Sequence, residues 1–367
     1  MTAAPITGVV TTSYPRFAGD YAGTFVAQEV RALAAAGARV EVIAAGPGSP
    51  SGPGGEPVRR VDGAGLFYGG GAPETLAAGG ASAWAKALAF SSALGWQIAR
   101  HATRWNQVVS HWLLPCGLAA AVAAPRLPHR AHAHSGDVAL LERVLLGRDV
   151  ARRLADSGAD LVFVTEALRN RFAALVGGRI GRVQPMRADP EVFVPPAAGA
   201  RQAARREHHF SRPVVLTVGR LTRIKGLDVL IEAAAHAARS GPRPCAVTLV
   251  MLGEGPERAR LAGLAGARDV DLRLPGAVPP PQVASFMWAA DLLAHPSRLL
   301  PDGRTEGMPV AVLEGLAVGL KVVATATGGL PALARDRRGI LLVPPEDPVA
   351  LSGALCTLLR TDDRVSA

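Results

Sequence analysis

The stretch RTEGMPVAVLEGLAVGLKVVATATGGLP, residues 304–331, decides the fold. It holds two acidic residues, Glu306 and Glu314, eight positions apart across a Gly-Met-Pro turn and an apolar run. This spacing is about two helical turns, so the carboxylates cannot serve one proton but can bind two ends of an elongated ligand. If residues 307–309 open a helix, the free backbone N–H groups at its N-terminus form a natural seat for phosphate.

A second informative stretch lies upstream, at residues 214–235, VVLTVGRLTRIKGLDVLIEAAA. A strand-like apolar run ends at Gly219, and a loop carrying Arg220, Arg223 and Lys225 follows before a helical pattern begins. Fixed cations in such a loop suit a diphosphate leaving group, because they stabilise the negative charge that develops on it.

The two stretches together resemble retaining glycosyltransferases of family 4, which have the GT-B fold. Glu306 and Glu314 match the E-x7-E signature, and residues 219–226 match the G-R-L-x-x-x-K-G motif in full. The resemblance implies that Glu306 lies beside the donor sugar, that Glu314 binds the ribose, and that Arg220 and Lys225 bind the diphosphate. It implies further donor contacts, largely through the backbone, at Gly219, Gly253, Glu254, Gly276, Val278, Gly307, Met308 and Pro309.

Length and pattern predict two Rossmann-like domains facing a central cleft. The 367 residues have room for two cores, and a hydrophobic fraction of 49% excludes a disordered chain. Strand and helix patterns alternate in both halves, which indicates parallel sheets. We predict an acceptor domain at residues 1–190, a Pro- and Arg-rich linker at 191–212 and a nucleotide-sugar donor domain at 213–367. Since no G-x-G-x-x-G follows the first strand, a nicotinamide dehydrogenase is poorly supported.

The predicted strands cover residues 8–13, 39–44, 107–110, 129–134 and 160–164 in the first half, and residues 214–218, 246–252, 271–274, 292–295, 321–324 and 339–343 in the second. Residues 24–36 form the first predicted helix, and residues 46–58 a turn-rich loop.

The loop at residues 12–26 resembles the Y-P-x-x-x-G-D-x-x-G-x-F-V opening of many bacterial members of the family. Gly23 lets the backbone approach a ligand closely, and we assign it to the donor side. Asp20 either meets an acceptor hydroxyl or caps the following helix, and the cap is favoured.

Three histidines follow strands of the same half. His111 matches a family histidine that lies close to the donor sugar, and we group it with the catalytic residues. The run HAHSGD, residues 132–137, resembles the family's H-S-G-D segment, which makes His134 and Asp137 candidates for the acceptor. His132 is expected to face the core side of its strand. Because no acidic or cysteine ligand completes a set with these histidines, we expect no metal and no cofactor. The D-x-D letters at Asp269 and Asp271 are explained by a turn.

Composition limits compartment and partners. The cysteines Cys116, Cys245 and Cys356 are far apart and match no metal spacing, which favours a reducing compartment, and Cys116 is expected to be a buried apolar residue. No basic leader opens the chain, and residues 118–124 are too short an apolar run to span a membrane. We expect a cytoplasmic protein, soluble or peripheral on the inner face of the membrane.

The net charge is +10, yet nucleic acid is not an expected partner, because aromatic residues are not interleaved with the basic ones. An anionic membrane surface explains the charge better. Residues 84–105, WAKALAFSSALGWQIARHATRW, form a basic helical pattern with indoles, which suits either a lipid interface or a core helix with a solvated face. The expected partners are a nucleotide-sugar donor and a sugar or lipid-linked acceptor.

The chain departs from the family at three places. Arg187 stands where the P-x-G-x-D segment usually has Gly, and a side chain there is expected to resist the backbone shape of Gly. Lys321 stands where Pro is usual, and only eight residues follow the last predicted helix.

The sequence therefore predicts a retaining glycosyltransferase that moves a sugar to an acceptor hydroxyl, in glycolipid or polysaccharide biosynthesis. Two alternatives remain: a GT-B sugar-nucleotide 2-epimerase and a nucleotide-sugar-binding protein without turnover.

Overall fold

The computed structural model describes residues 4–20, 22–67, 72–134, 136–178, 180–239, 245–301 and 304–360. Tyr21 and Ser135 of the motifs quoted above lie outside these ranges. The chain divides into two compact units, Met1–Pro185 and Met186–Ala367. Among the described residues, no helix is long and apolar enough to cross a membrane.

The first unit is built on a seven-stranded parallel sheet with the order β3-β2-β1-β4-β5-β6-β7. Its strands are β1 (Ile6–Thr11), β2 (Arg39–Ala45), β3 (Val58–Val61), β4 (Gln107–His111), β5 (His129–Ala133), β6 (Asp160–Phe163) and β7 (Arg182–Val183). Its helices are α1 (Thr24–Ala35), α2 (Ala64–Phe67), α3 (Ala72–Ala102), α4 (Leu118–Ala123), α5 (Gly136–Leu141), α6 (Gly147–Asp156) and α7 (Glu166–Val176), with a π-helical turn at Leu113–Gly117.

Apolar faces of α1 and α3 cover this sheet. Val26 and Val30 of α1 pack with strand residues in one core cluster, and Phe90, Leu94 and Ile98 of α3 pack in another. These spacings of four and eight residues are those of one helical face. A side-chain Cβ at Gly8 would lie 2.2 Å from the ring of Trp105, so β1 needs a glycine where the indole crosses it.

The second unit is built on a six-stranded parallel sheet with the order β10-β9-β8-β11-β12-β13. Its strands are β8 (Val214–Val218), β9 (Thr248–Leu252), β10 (Asp271–Gly276), β11 (Leu292–His295), β12 (Val322–Thr325) and β13 (Ile340–Val343). Its helices are α8 (Ala200–Glu207), α9 (Leu227–Arg239), α10 (Arg258–Arg268), α11 (Pro280–Ala289), α12 (Val310–Ala317), α13 (Leu330–Asp336) and α14 (Pro348–Arg360), with a 3₁₀ turn at Arg223–Lys225.

The segment predicted as a linker, residues 191–212, is packed into the second unit. Phe193 and Phe210 lie in one of its core clusters, and Arg205 Nη1 binds Asp291 Oδ2 at 2.9 Å. The division therefore falls between Pro185 and Met186 rather than at residue 190, because burial of these aromatic rings ties the Arg-rich helix α8 to the second sheet.

The short edge strands β3 and β7 are absent from the sequence-based prediction, whereas every predicted strand is present with ends that differ by up to two residues. The side chains predicted for a lipid interface do not share one exposed face. Some lie on the buried face of α3, others lie on its exposed face, and Trp105 follows the end of the helix. Leu94, Ile98 and Trp105 are buried, while Trp84, Leu88 and Trp96 are 46%, 70% and 59% exposed.

Candidate active site

The donor residues predicted in the second unit lie at the carboxyl end of its sheet, where ligands bind in parallel α/β sheets. Gly23 lies in the first unit. Lys225 lies in the turn after β8, Glu306 in the loop after β11 and Glu314 on α12. The helix α12 begins at Val310, directly after Gly307, Met308 and Pro309, as predicted.

An ion pair joins two of these loops. Lys225 Nζ lies 2.6 Å from Glu306 Oε1, and His295 Nε2 lies 2.5 Å from Glu306 Oε2. The carboxylate is thus bound on one oxygen by an ammonium and on the other by an imidazole. Because both oxygens have a partner, the carboxylate is fixed in place before any ligand binds, as a preorganised charged site requires.

The charge of Glu306 follows from these neighbours. Burial disfavours the ionised form, but the Lys225 ammonium and the His295 imidazole together hold the pKa of Glu306 well below its ordinary value. Burial also lowers the pKa of His295, against the opposing effect of Glu306. Glu306 is therefore a carboxylate at neutral pH and a poor proton acceptor, because an efficient general base has a pKa near the working pH.

Glu314 has the opposite electrostatic environment. Burial raises the pKa of its carboxyl to about 7, and the Asp189 carboxylate adds to the increase. Two glutamates of one motif thus differ in protonation near neutral pH, which fits separate ligands for the two.

Glycines let the loops of this site pack backbone against backbone. A Cβ at Gly253 would lie 2.0 Å from the carbonyl oxygen of Gly219, and one at Gly226 2.0 Å from that of Pro296. Gly219 itself has φ +145°, with Lys225 Nζ 3.1 Å from where its Cβ would stand. Larger residues at these positions would push apart the loops that carry Lys225 and Glu306.

Arg220, Glu254, Gly276 and Val278 line the same side of the sheet at its other strands. Arg220 is exposed. Glu254 pairs with Arg258 at 3.3 Å, and its carboxylate lies over Gly276. Val278 packs partly against the core. The D-x-D letters span the end of α10 and the start of β10: Asp269 is the C-terminal cap of α10, and Asp271, the first residue of β10, accepts a hydrogen bond from Thr248 at 2.6 Å.

Sequence analysis missed two supporting residues, His295 and Arg298. Arg298 is buried, binds Asp228 at 3.0 Å and donates to the carbonyl of Arg223, so it supports the turn that carries Lys225. His295 ends β11 and Arg298 follows it three residues later, and this position at the end of a buried strand was the available signal.

In the first unit, His111, His132 and His134 share one face of the sheet. His111 and His132 are register partners on β4 and β5, and their rings stack at 4.8 Å. His111 Nδ1 lies 3.2 Å from His134 Nε2. His132, which is expected to face the core side of its strand, is buried there and lies on the same face as its register partner His111.

A carboxylate contacts this histidine face. Glu29 of α1 lies 3.4 Å from His111 Nε2 and 3.2 Å from His132 Nε2. The premise that no acidic residue joins the histidines is therefore wrong, since α1 brings Glu29 from a distant part of the sequence. Burial lowers the pKa of His111 well below its ordinary value and that of His134 to about 3.

Asp137 has a positioning role in this geometry. It is buried and accepts hydrogen bonds from the backbone N–H groups of Leu113 at 2.7 Å and His134 at 3.1 Å. Between those segments, Trp112 has a positive φ of 69°, rare for an indole side chain and typical of functional loops. Asp137 thus holds the backbone that follows His111 rather than presenting its carboxylate to an acceptor.

Asp20 does not cap α1, contrary to expectation. Its carboxylate binds Arg16 Nε at 2.7 Å and the backbone N–H of Ala22 at 3.1 Å, while Gly23 is the helix cap without a side-chain bond. A Cβ at Gly23 would lie 2.2 Å from the carbonyl oxygen of Ser13, so the close approach is to the chain itself. The strain expected at Arg187 is absent, since this residue is not among the described non-glycine residues with positive φ.

Comparisons with known proteins agree with the predicted resemblance. Residues 212–361 match the family model described as glycosyl transferases group 1. A putative colanic acid biosynthesis glycosyltransferase from Salmonella typhimurium is 32% identical over 50% of this chain and 46% of its own length. A GDP-mannose-dependent mannosyltransferase of Mycobacterium tuberculosis, which acts on phosphatidylinositol monomannoside, is 28% identical over 72% of this chain and 68% of its own.

Solved structures show the fold. Sucrose-phosphate synthase from Thermosynechococcus elongatus superposes with a TM-score of 0.74 at 22% identity, covering 97% of this chain and 90% of that protein. Anabaena HepE in complex with UDP and glucose gives 0.69 at 18% identity, covering 96% and 90%. The GT-B fold class predicted from the sequence is confirmed. The chain spans about half the length, 46%, of the Salmonella relative that it matches.

Proposed function

We propose that this chain, which belongs through residues 212–361 to the group 1 glycosyltransferases, transfers a sugar from a nucleotide-sugar donor to an acceptor hydroxyl with retention of configuration. The observation that carries the proposal is the Lys225–Glu306–His295 cluster at the carboxyl end of the second sheet.

In this proposal Lys225 and Glu306 of the cluster act together with Arg220 and Glu314. Lys225 is fixed by Glu306 and retains further N–H donors for a diphosphate. It acts, with Arg220, on the charge that grows on the leaving diphosphate as its bond to the sugar breaks. Glu306 orients the sugar. Glu314 binds the ribose.

The ionisation of Glu306 bears on how the acceptor loses its proton. A carboxylate with so low a pKa is a weak base, so it is unsuited to deprotonate the acceptor hydroxyl. The departing diphosphate oxygen, which gains charge as the bond breaks, is the better proton acceptor. It lies on the face of the sugar that the acceptor hydroxyl attacks. Attack from that face gives retention, and neither step needs a metal ion.

The acceptor is proposed to be a glycolipid or polysaccharide precursor at an anionic membrane. Support comes from α3, whose buried face packs on the first sheet while Trp84, Leu88 and Trp96 remain exposed on another. Lys86 and Arg100 are exposed on the same helix, and the Arg100 guanidinium lies 5.4 Å from the Trp96 ring centre. An exposed indole and leucine surface beside cations suits a lipid interface.

Release of nucleoside diphosphate, with and without acceptor, tests the proposed function. GDP-mannose and UDP-glucose are the first donors to try, because relatives with those donors in their names share this fold. We expect release that depends on an acceptor, and a product whose anomeric configuration, read by NMR, equals that of the donor. Release without acceptor would favour an epimerase or hydrolase, and donor binding without release would favour a binding protein.

A further inference from the structure

Three potential metal ligands meet in the first unit, whereas the donor residues of the second sheet belong to the second unit. They are Glu29 of α1, His111 at the end of β4 and His132 of β5, and their ligand atoms all lie within 4.8 Å of one another. The fold brings them together in a defined way, because the two histidines are register partners on adjacent strands and α1 crosses the same face of the sheet.

The two histidine nitrogens are buried and unsatisfied. His111 is 1% exposed and His132 6% exposed, and neither Nε2 atom has a hydrogen-bond partner in the described part of the chain. Glu29 is close to both, at 3.4 and 3.2 Å, but not in hydrogen-bond geometry. Since buried polar atoms are nearly always satisfied, a further group that binds both nitrogens and the carboxylate accounts for the arrangement.

The donor set and the spacing match a cation of the zinc type. Two neutral imidazoles and one carboxylate form one of the ligand sets of open zinc sites, which leave a fourth position to water. With metal–ligand bonds of about 2.0–2.1 Å, a tetrahedral site has ligands about 3.4 Å apart. Glu29 Oε2 lies 3.4 Å from His111 Nε2 and Glu29 Oε1 lies 3.2 Å from His132 Nε2, so each carboxylate oxygen is near this distance from one imidazole. Binding would draw the two stacked imidazole nitrogens together. Mg²⁺ is a poorer match, because it prefers oxygen ligands in an octahedron.

Outer contacts also resemble those of a metal site. His134 Nε2 lies 3.2 Å from His111 Nδ1. In the tautomer in which His111 Nδ1 donates its proton to His134 Nε2, His111 Nε2 keeps the lone pair that a metal ion needs. Asp137 accepts a hydrogen bond from the backbone N–H of His134 and so positions His134 beside His111. Glu29 is partly exposed, with 23% of its side chain accessible, which gives an ion a path to the buried nitrogens.

From these contacts we propose that Glu29, His111 and His132 form a binding site for a divalent cation of the zinc type. A consequence rests on the proposed function: an ion on His111 Nε2 withdraws that atom from a donor sugar, so zinc inhibits transfer.

Isothermal titration calorimetry of the full chain with ZnCl₂, and separately with MgCl₂, tests the site. The background is Cys356→Ser, because Cys245 and Cys356 hydrogen-bond to each other and form a competing thiol site. We expect one Zn²⁺ per chain, with proton release on binding at low pH, and no measurable binding of Mg²⁺.

Two variants and a matched control assign the ligands. Glu29→Gln and His132→Asn should each weaken Zn²⁺ binding at least tenfold. His129→Asn changes a half-buried histidine of the same strand, one that contacts Ser110 and not the cluster, and should leave the affinity unchanged. Circular dichroism confirms that each variant is folded, and a zinc-induced rise in Tm in the background protein, lost in Glu29→Gln, gives a second measurement.

Equal affinity in the background and both ligand variants, or no binding of one Zn²⁺ to the background protein, would overturn the site. Calorimetry needs no turnover, so this result is separate from the fate of the proposed function. If the site binds zinc but transfer proceeds unchanged at saturating Zn²⁺, only the inhibitory consequence is wrong.

Discussion

Lys225 and Glu306 form an ion pair of 2.6 Å that joins the turn after β8 to the loop after β11. These residues are 81 positions apart in the chain, and the contact unites two motifs that the sequence presents separately. A cation and a carboxylate held this way need little reorganisation when charge develops on a bound diphosphate. In the proposed function, the pair therefore links the orientation of the sugar to the stabilisation of its leaving group.

Lys225→Ala should lower turnover by on the order of a hundredfold or more, because the ammonium acts on charge that grows in the transition state. Steady-state kinetics with saturating donor measures this. The matched control is Arg223→Ala, an exposed cation of the same turn, which should change turnover less than about threefold. Near-normal turnover with only weaker donor binding would contradict the role of Lys225.

Glu306→Gln and Glu314→Gln should have different effects, since their proposed ligands differ. We expect Glu306→Gln chiefly to lower kcat and Glu314→Gln chiefly to weaken nucleotide binding. Kinetics, together with calorimetric titration of free nucleoside diphosphate, separates the two effects. An equal loss of nucleotide affinity in both variants would refute the assignment.

The raised pKa of Glu314 predicts a pH-dependent stability. Because its folded-state pKa of about 7 lies above the ordinary value, the native state binds more protons between about pH 4.5 and 7. The contribution of this residue to the free energy of unfolding therefore falls as pH rises through that window. Glu314→Gln should raise stability at pH 8, by on the order of 1–3 kcal/mol, and leave it unchanged near pH 4. Thermal unfolding of both proteins at the two pH values measures it, and an equal difference at both would exclude titration of Glu314 as the cause.

Gly328→Ala should destabilise the second unit and slow transfer. A Cβ at this position would lie 1.9 Å from the carbonyl oxygen of Glu306, and the residue has φ +55°. Backbone strain and the clash together are expected to cost about 2–4 kcal/mol. Gly263→Ala is the control, because its Cβ meets no atom within 4 Å in α10, and it should be neutral or stabilising. Denaturant unfolding compares the two, and similar losses in both would contradict the reason given.

Binding to anionic vesicles should require the exposed face of α3. Leu88→Glu should reduce cosedimentation with anionic vesicles at low salt, because it places a negative charge on a residue that is 70% exposed. Val349→Glu alters an equally open apolar position, 59% exposed, on α14 of the other unit and should have little effect. High salt and neutral vesicles should each lower binding. If the unaltered protein does not bind anionic vesicles at low salt, a soluble acceptor is the better interpretation.

Local patterns predicted the strands well, because runs such as residues 214–218 and 292–295 are apolar and end at loops with clear turn residues. The strands β3 and β7 were missed for physical reasons. Val58–Val61 contains two arginines and follows a Gly/Pro-rich loop, and β7 has only two residues, so each depends on its neighbouring strand for pairing.

Site residues that belong to a sequence motif were predicted. Site residues that are brought together only by tertiary contacts were missed. Lys225, Glu306 and Glu314 stand in recognisable spacings. The contact of His295 with Glu306 and that of Glu29 with His111 depend on how strands and helices pack, which no local pattern encodes. Asp20 was misassigned because Arg16, four residues earlier, competes for the carboxylate that the cap would have used.

The division into two units, each with its own buried clusters, has a consequence for calorimetry. Two cores can unfold in separate steps, so the protein should not be treated as a single cooperative system without a test. A nucleotide held by Lys225 and Glu314 stabilises the unit that contains them, by mass action. In a thermal scan with two resolved transitions, the transition temperature of the first unit then serves as an internal reference. The transition temperature of the second unit, with each ligand or variant, can be compared with it within one sample.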